Sequence, residues 1–324
     1  MRRMIAAPPD FDFRTAVCSH GFFVLAPNAW DPAKQSLRTV VTLDEDKAVS
    51  VVIRERRAGS KADVSGNGLV VSCPAGLSSP QRTTVLRAVC RMLRLNEDLS
   101  GFHELCRASK THRQAAEMRF GRLLRSATLF EDVVKVICTC NTSWAQTVAM
   151  VRNITDLWGV PAKGTTDRGF PTPARLAEVS PATLRKKARV GYRADFLHRL
   201  ACDVVEGEVD LEAIESFDGS SDELYEIVQS IHGIGDYAAA HLCMLLGHYD
   251  RLAVDTELKR FLTERHPGKR FTPASLRMYY DRWEPYQFLA YWYELWSDYT
   301  HRHGQSHQWE PARIGKRITS IVQK

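Results

Sequence analysis

The sequence predicts an α+β protein: a small N-terminal antiparallel β-rich domain followed by a large all-helical body. Three observations lead there. Residues 11–75 hold short runs rich in Val and Phe, separated by turn-forming clusters. From about residue 80 the apolar spacing changes to the 3.6-residue helical period. Ser, Thr and Asp, often followed by Pro, stand at the starts of those periodic runs, where helix caps belong.

The expected strands are GFFVL (21–25), LRTVVTL (37–43), AVSVVIRE (48–55) and GLVVSC (68–73). Between them APNAWDPA (26–33), DEDK (44–47) and SGNG (65–68) supply turns. The first helix is LSSPQRTTVLRAVCRMLRL, with Val85, Ala88, Val89, Met92 and Leu93 on one side and Ser79 before Pro80 as its start. TLFEDVVKVICT follows, with a capping-box pattern at Thr128 and Glu131. TSWAQTVAMVRNITDLWG ends at Gly159, and a loop with three prolines comes next. SPATLRKKA starts on Ser180 and Pro181, and YRADFLHRLACDVVEG closes on Gly207. SSDELYEIVQSI, YAAAHLCMLLG, VDTELKRFL, TPASLRMYYDRW and PYQFLAYWYELWSDYTHR complete the body. The expected divisions are 1–80 for the sheet domain, 81–305 for the helices and 306–324 for a basic tail.

The composition is that of a soluble globular chain: 324 residues, 44% apolar and 25% charged. No run is long enough to span a bilayer, and Pro8 and Pro9 interrupt the N-terminal apolar stretch. An intracellular, cytoplasmic protein is therefore expected. Net charge +6 is mildly basic and permits a polyanionic partner without requiring one. Taken singly, the basic groups RERR (54–57), KTHRQAAEMRFGRLLR (110–125), RKKAR (185–189) and Lys269–Arg270 read as solvated helix faces. The eight cysteines sit mostly in apolar runs and read as reduced structural thiols. C-x-C at Cys138 and Cys140 has no partner pair at zinc spacing, so no metal site is expected. Nothing after Cys243 is cysteine, which excludes a C-terminal iron–sulfur loop.

The most informative stretch is IHGIGDYAAAHLCMLLGHYDRLAVDTELKRFL (231–262). Gly233 and Gly235 lie between two helices, where glycine permits positive φ and close approach of another backbone. The second helix begins at once, with its first N–H groups unpartnered, so the turn is suited to an anion such as a phosphate oxygen. Read as local structure alone, it is a helix C-cap followed by a tight turn. Asp255, twenty residues on, is an ordinary N-cap on the same reading, with Thr256 as the alternative frame. On the functional reading it is a carboxylate held at the mouth of a cleft that the turn lines.

GIGDYAAA followed at this distance by VDT resembles the helix-hairpin-helix and catalytic-aspartate signature of the HhH-GPD superfamily of base-excision DNA glycosylases. LFEDVVKVICTCNTSWAQTVAMVRNI is similar to an early helix pair of its 8-oxoguanine branch. GFPTPARLAEVSPATLRKKARVGYRADFL resembles a stretch of its 3-methyladenine and 8-oxoguanine branches. EPYQFLAYWYELW is similar to the last helix of the 3-methyladenine II branch. The resemblance covers roughly residues 85–300.

What it implies is a monomer that extrudes a damaged nucleotide from double-stranded DNA and cuts its bond to the sugar. Asp255 falls on the catalytic acid. Gly233, Ile234 and Gly235 would hold a phosphate, with a monovalent cation bound at the hairpin and no other cofactor. His232 stands where many relatives carry proline. Relatives that also cut the strand carry a lysine where this chain has Tyr237, and Lys135 and Lys259 do not match that position. A monofunctional, water-using enzyme is implied. Asn141 falls on the asparagine that fills the gap left by the extruded base; by residue type alone it is a cap or turn residue. Tyr237, Trp144, Tyr286 and Trp292 are candidates for the base pocket, since aromatic faces hold a cationic methylated purine, though such clusters also build cores. Arg193 serves either the DNA backbone or the structure. The implied substrate is an alkylated purine of the 3-methyladenine type, with 8-oxoguanine as the alternative. A non-catalytic DNA-binding protein that uses the hairpin as a phosphate clip is the competing reading from another class.

Overall fold

The structure is a computed structural model that describes residues 1–56 and 68–310. Arg57, most of the expected 65–68 turn and residues 311–324 of the expected tail lie outside the described residues.

Five strands form one antiparallel sheet: β1 (Arg2–Ala6), β2 (Ala29–Asp31), β3 (Ser36–Thr42), β4 (Ala48–Glu55) and β5 (Gly68–Ser72), in the order β1-β5-β4-β3-β2. The register sets Leu37 opposite Ile53 and Ile53 opposite Val71, so these buried side chains share one face. Three of the four expected strands are present. GFFVL is not a strand but a short 3-10 helix, Gly21–Val24, with all four residues buried. A continuous apolar run carries no alternation, so its period could not distinguish the two forms. Its polar groups are satisfied locally instead: Leu25 N donates to Phe22 O at 3.1 Å, as does Asn28 Nδ2 at 3.0 Å. The edge of the sheet is filled by β1, a mostly exposed strand whose two arginines concealed it.

The helical body follows the expected order. Ser78, not Ser79, caps the Ser79–Met92 helix, and it forms a capping box with Gln81. Thr128 Oγ1 caps the Leu129–Thr139 helix at Glu131 N, 3.2 Å away. That helix is buried on nearly every side, charges included. Lys135 pairs with Glu131 at 2.5 Å and lies 5.4 Å from the Phe22 ring centroid.

Two of the basic residues expected on solvated faces are interior. Arg122 donates to both Asp10 carboxylate oxygens and to Glu97 O. Arg125 reaches Glu215 at 2.7 Å, and Arg91 bridges Glu215 and Asp132 at 2.6 and 2.8 Å. Burial opposes the charge on Asp132, but the two guanidiniums outweigh it and hold its carboxyl below the usual range. These arginines tie the segment before the Leu129–Thr139 helix to its neighbours.

The expected tail also begins inside the fold. After the Gln287–His303 helix, Trp309 packs against Trp296 with ring centroids 5.5 Å apart and is only 1% exposed. Trp30 Nε1, from β2, donates to His307 O at 2.8 Å, so residues 306–310 close against the N-terminal sheet. Trp309→Ala is expected to cost about 3–5 kcal/mol, as for truncation of a buried aromatic ring, and urea unfolding would measure it. A loss under about 1 kcal/mol would mean that this closure is incidental to the fold.

All eight cysteines are free thiols. Among the described residues, no helix is long and apolar enough to cross a membrane, and no group of His, Cys, Asp and Glu could hold a metal ion.

Candidate active site

The Ser221–Ser230 and Asp236–Leu246 helices are joined by the turn 231–235. Gly233 lies at φ +89°, and a Cβ there would stand 2.5 Å from Phe196 Cγ, so both conformation and space demand glycine. Ile234 is buried and anchors the turn in the core, and its N–H donates to Ile231 O at 3.0 Å. Gly235 is the N-cap of the Asp236–Leu246 helix, and no side chain bonds into that cap. The first-turn N–H groups therefore remain available to an anion.

Asp255 caps the Thr256–Arg265 helix, its Oδ1 accepting from Leu258 N at 2.8 Å. Thr256 is the first residue inside that helix, which decides between the two frames. The side chain is only partly exposed, and burial pushes its pKa up to about 6 even though it accepts from backbone N–H. It is thus more basic than an ordinary cap aspartate and still ionised at neutral pH.

The hairpin and Asp255 meet in one cleft of about 680 Å³. Gly233, Gly235, Tyr237, Asp255 and Asn141 all line it. Tyr237 packs 5.8 Å from the His241 ring, behind which lies His20. Burial pushes these histidines down to about 4 and about 3, so both are neutral at physiological pH.

Asn141 occupies the left-handed region at φ +48° and is exposed. Arg193 braces this turn, donating to Cys140 O and, at 3.2 Å, to Asn141 O. Its guanidinium also lies 4.6 Å from the Tyr192 ring centroid. Arg193 therefore supports this turn through its terminal nitrogens, while it also lines the cleft and its Nε is buried without a partner. Asn141 Nδ2 donates to Tyr192 Oη at 3.1 Å, and Tyr192 remains 48% exposed at the cleft mouth. Tyr192 and Phe196 were not singled out from the sequence. The local signal for Tyr192 is a large aromatic side chain in GYRAD, directly before Arg193.

Three aromatic candidates do not line this cleft. Trp144 covers Gly21, where a Cβ would stand 2.6 Å from its ring. Tyr286 packs between Phe102 and Tyr249, at 5.7 and 6.5 Å between ring centroids. Trp292 stacks between Phe288 and Trp296 and donates to Ser19 O at 2.7 Å. Of the lysines, Lys135 is consumed in its buried pair, and Lys259 lies exposed on the Thr256–Arg265 helix outside the cleft lining.

Residues 134–285 match the profile of the HhH-GPD superfamily base excision DNA repair proteins. The chain is 26% identical over 178 residues to a probable N-glycosylase/DNA lyase of Methanothermobacter thermautotrophicus, covering 48% of this chain and 55% of the relative. It is 28% identical over 176 residues to DNA-3-methyladenine glycosylase 2 of Escherichia coli, covering 53% and 60%. The chain thus spans just over half the length of these curated relatives. The solved 3-methyladenine DNA glycosylase of Archaeoglobus fulgidus superimposes with a TM-score of 0.71 at 19% identity, covering 93% of this chain and 99% of that one, so the fold is shared. The matched residues 134–285 contain both the glycine turn and Asp255, so the similarity to the HhH-GPD superfamily of base excision DNA repair proteins falls on the cleft itself.

Proposed function

We propose that this protein is a monofunctional DNA glycosylase of base excision repair that hydrolyses the N-glycosidic bond of alkylated purines in duplex DNA. The observation that carries this reading is the shared cleft of Asp255 and the open glycine turn. Breaking the bond to the base leaves positive charge on the sugar in the transition state. A carboxylate fixed beside the sugar stabilises that charge and orients or deprotonates the attacking water. The elevated basicity of Asp255 suits the second role.

The turn would hold a phosphate on the backbone N–H groups of Gly233 and Gly235, the Ile234 N–H being taken by Ile231 O at 3.0 Å. A monovalent cation, if held by carbonyl oxygens of the turn, would add electrostatic attraction for the strand; hard cations favour such oxygen ligands. Asn141, with Tyr192 beside it, would enter the gap left by the extruded nucleotide. Tyr237 stands next to Asp255 and offers no amine for a Schiff base, so strand cleavage is not expected of this site. The relatedness to a 3-methyladenine glycosylase supports the alkylated-purine reading. A second reading, 8-oxoguanine on the same site, is favoured by the left-handed Asn141 turn in CTCNTS, the stretch most similar to that branch.

Chromatography of the bases released from methylated duplex DNA, run beside an 8-oxoguanine duplex, tests both readings. Free methylpurine without 8-oxoguanine is the result expected. Release of neither base would reject the glycosylase reading for these lesions.

Gly233→Ala tests the turn. The strained φ and the Phe196 contact should cost about 1–3 kcal/mol of folding stability, and DNA affinity should fall about tenfold as the turn shifts. Electrophoretic mobility shifts at fixed salt would show the second effect. Unchanged DNA affinity would remove the turn from the DNA-binding surface.

A further inference from the structure

Tyr237, Asp236 and Val254 line a second cleft, of about 600 Å³, that the reading above does not use. Five carboxylates face it, from Asp222, Asp236, Asp250, Asp281 and Glu284, against the guanidiniums of Arg251 and Arg277. Both guanidiniums are engaged. Arg251 pairs with Asp222 and lies 4.3 Å from the Tyr225 ring centroid, and Arg277 reaches Asp236 at 3.4 Å. Asp250, Asp281 and Glu284 have no ion pair among the described residues. The cleft is therefore net negative and repels a nucleic-acid strand.

A second, independent observation points to an occupant. Gln287 lines the cleft, is only 7% exposed, and its Oε1 has no hydrogen-bond partner. Asp250 Oδ1 is likewise buried and unpartnered. Both atoms are acceptors, so a partner must bring N–H or O–H donors. Among the described residues, Arg251 Nε is the one orphaned donor on the lining, and it belongs to a guanidinium already paired. No three acidic or imidazole groups stand close enough to hold a metal ion among the described residues, so the negative charge is spread over an extended surface. Spread charge with separated acceptors matches an organic cation rather than a point charge.

We propose that this second cleft binds a small organic cation bearing several N–H donors, seated on Gln287 and Asp250 with its charge between Asp281 and Glu284. Two sources share that chemistry, an aliphatic polyamine and an N-alkylated purine, and the experiment separates them. The full-length protein is titrated calorimetrically, without DNA, with spermidine, with cationic 7-methylguanosine and with neutral guanosine.

Saturable binding of at least one cation is expected, with no binding of guanosine. The Asp281→Asn, Glu284→Gln double variant, which changes only carboxylates at the cleft, should weaken that binding about tenfold or more. Gln287→Leu should weaken it as well. Competition between the two cations identifies which source the cleft prefers. Absence of saturable binding by either cation, equal binding in the double variant, or guanosine binding as well as 7-methylguanosine would overturn the proposal. None of these readouts depends on base release, so this cleft and the glycosylase reading succeed or fail separately.

Discussion

Asp255→Asn is expected to lower base release by about 10²–10³-fold or more, the range found when a single electrostatic contributor to a transition state is removed, while DNA affinity stays within about twofold. The substitution preserves shape, and asparagine is itself a good N-cap, so the Leu258 N–H keeps its acceptor. What is lost is the negative charge beside the sugar. Parallel assays of base release and DNA binding separate the functional classes. A phosphate clip without catalysis would lose nothing, and a damaged fold would lose both.

The second large effect is on pH dependence. Burial raises the pKa of Asp255 to about 6, and only the ionised form can stabilise a cationic sugar or accept a proton. Base release should therefore rise about tenfold per pH unit up to about 6 and then level off, leaving activity at pH 4 about 100-fold below the plateau. His241 and His20 titrate near 4 and 3 and stay neutral across most of this limb. A flat profile from pH 5 to 8 would contradict the role given to this carboxylate.

The same shift has a thermodynamic sign. A carboxyl whose folded pKa exceeds its unfolded value disfavours folding once it must ionise, so wild-type stability falls as pH rises from about 4 through about 6. Two pKa units correspond to roughly 3 kcal/mol, which partial exposure reduces to about 1 kcal/mol. Asp255→Asn should accordingly be more stable than wild type by about 1 kcal/mol at pH 8 and indistinguishable at pH 4. The urea midpoint at the two pH values would report it.

The hairpin and its acid were legible because their signals are local. Two glycines in a turn, a helix start and an aspartate before a threonine each state a backbone requirement within a few residues. Helix caps and most strands were legible for the same reason. What failed was what depends on distant partners. GFFVL is apolar on every side, so its pattern could not distinguish a strand from the buried 3-10 helix it forms. Arg122 and Arg125 resemble surface residues until Asp10 and Glu215 arrive from elsewhere in the chain. The Gln287–His303 helix is aromatic on several faces, so its sequence could not say that Trp292 and the N-cap Tyr286 pack inward while Tyr192, the N-cap of another helix, faces the cleft. Local chemistry thus located the acid and the turn, and tertiary packing decided which aromatics accompany them.

The most direct test is to incubate wild type and Asp255→Asn with methylated duplex DNA in the presence of borohydride, following free base and covalent protein–DNA adduct together. The account predicts free methylpurine from wild type alone, with no adduct and strands that stay intact until alkali is added. A trapped adduct from wild type would contradict the water-using mechanism, and undiminished base release by Asp255→Asn would contradict the role of the carboxylate itself.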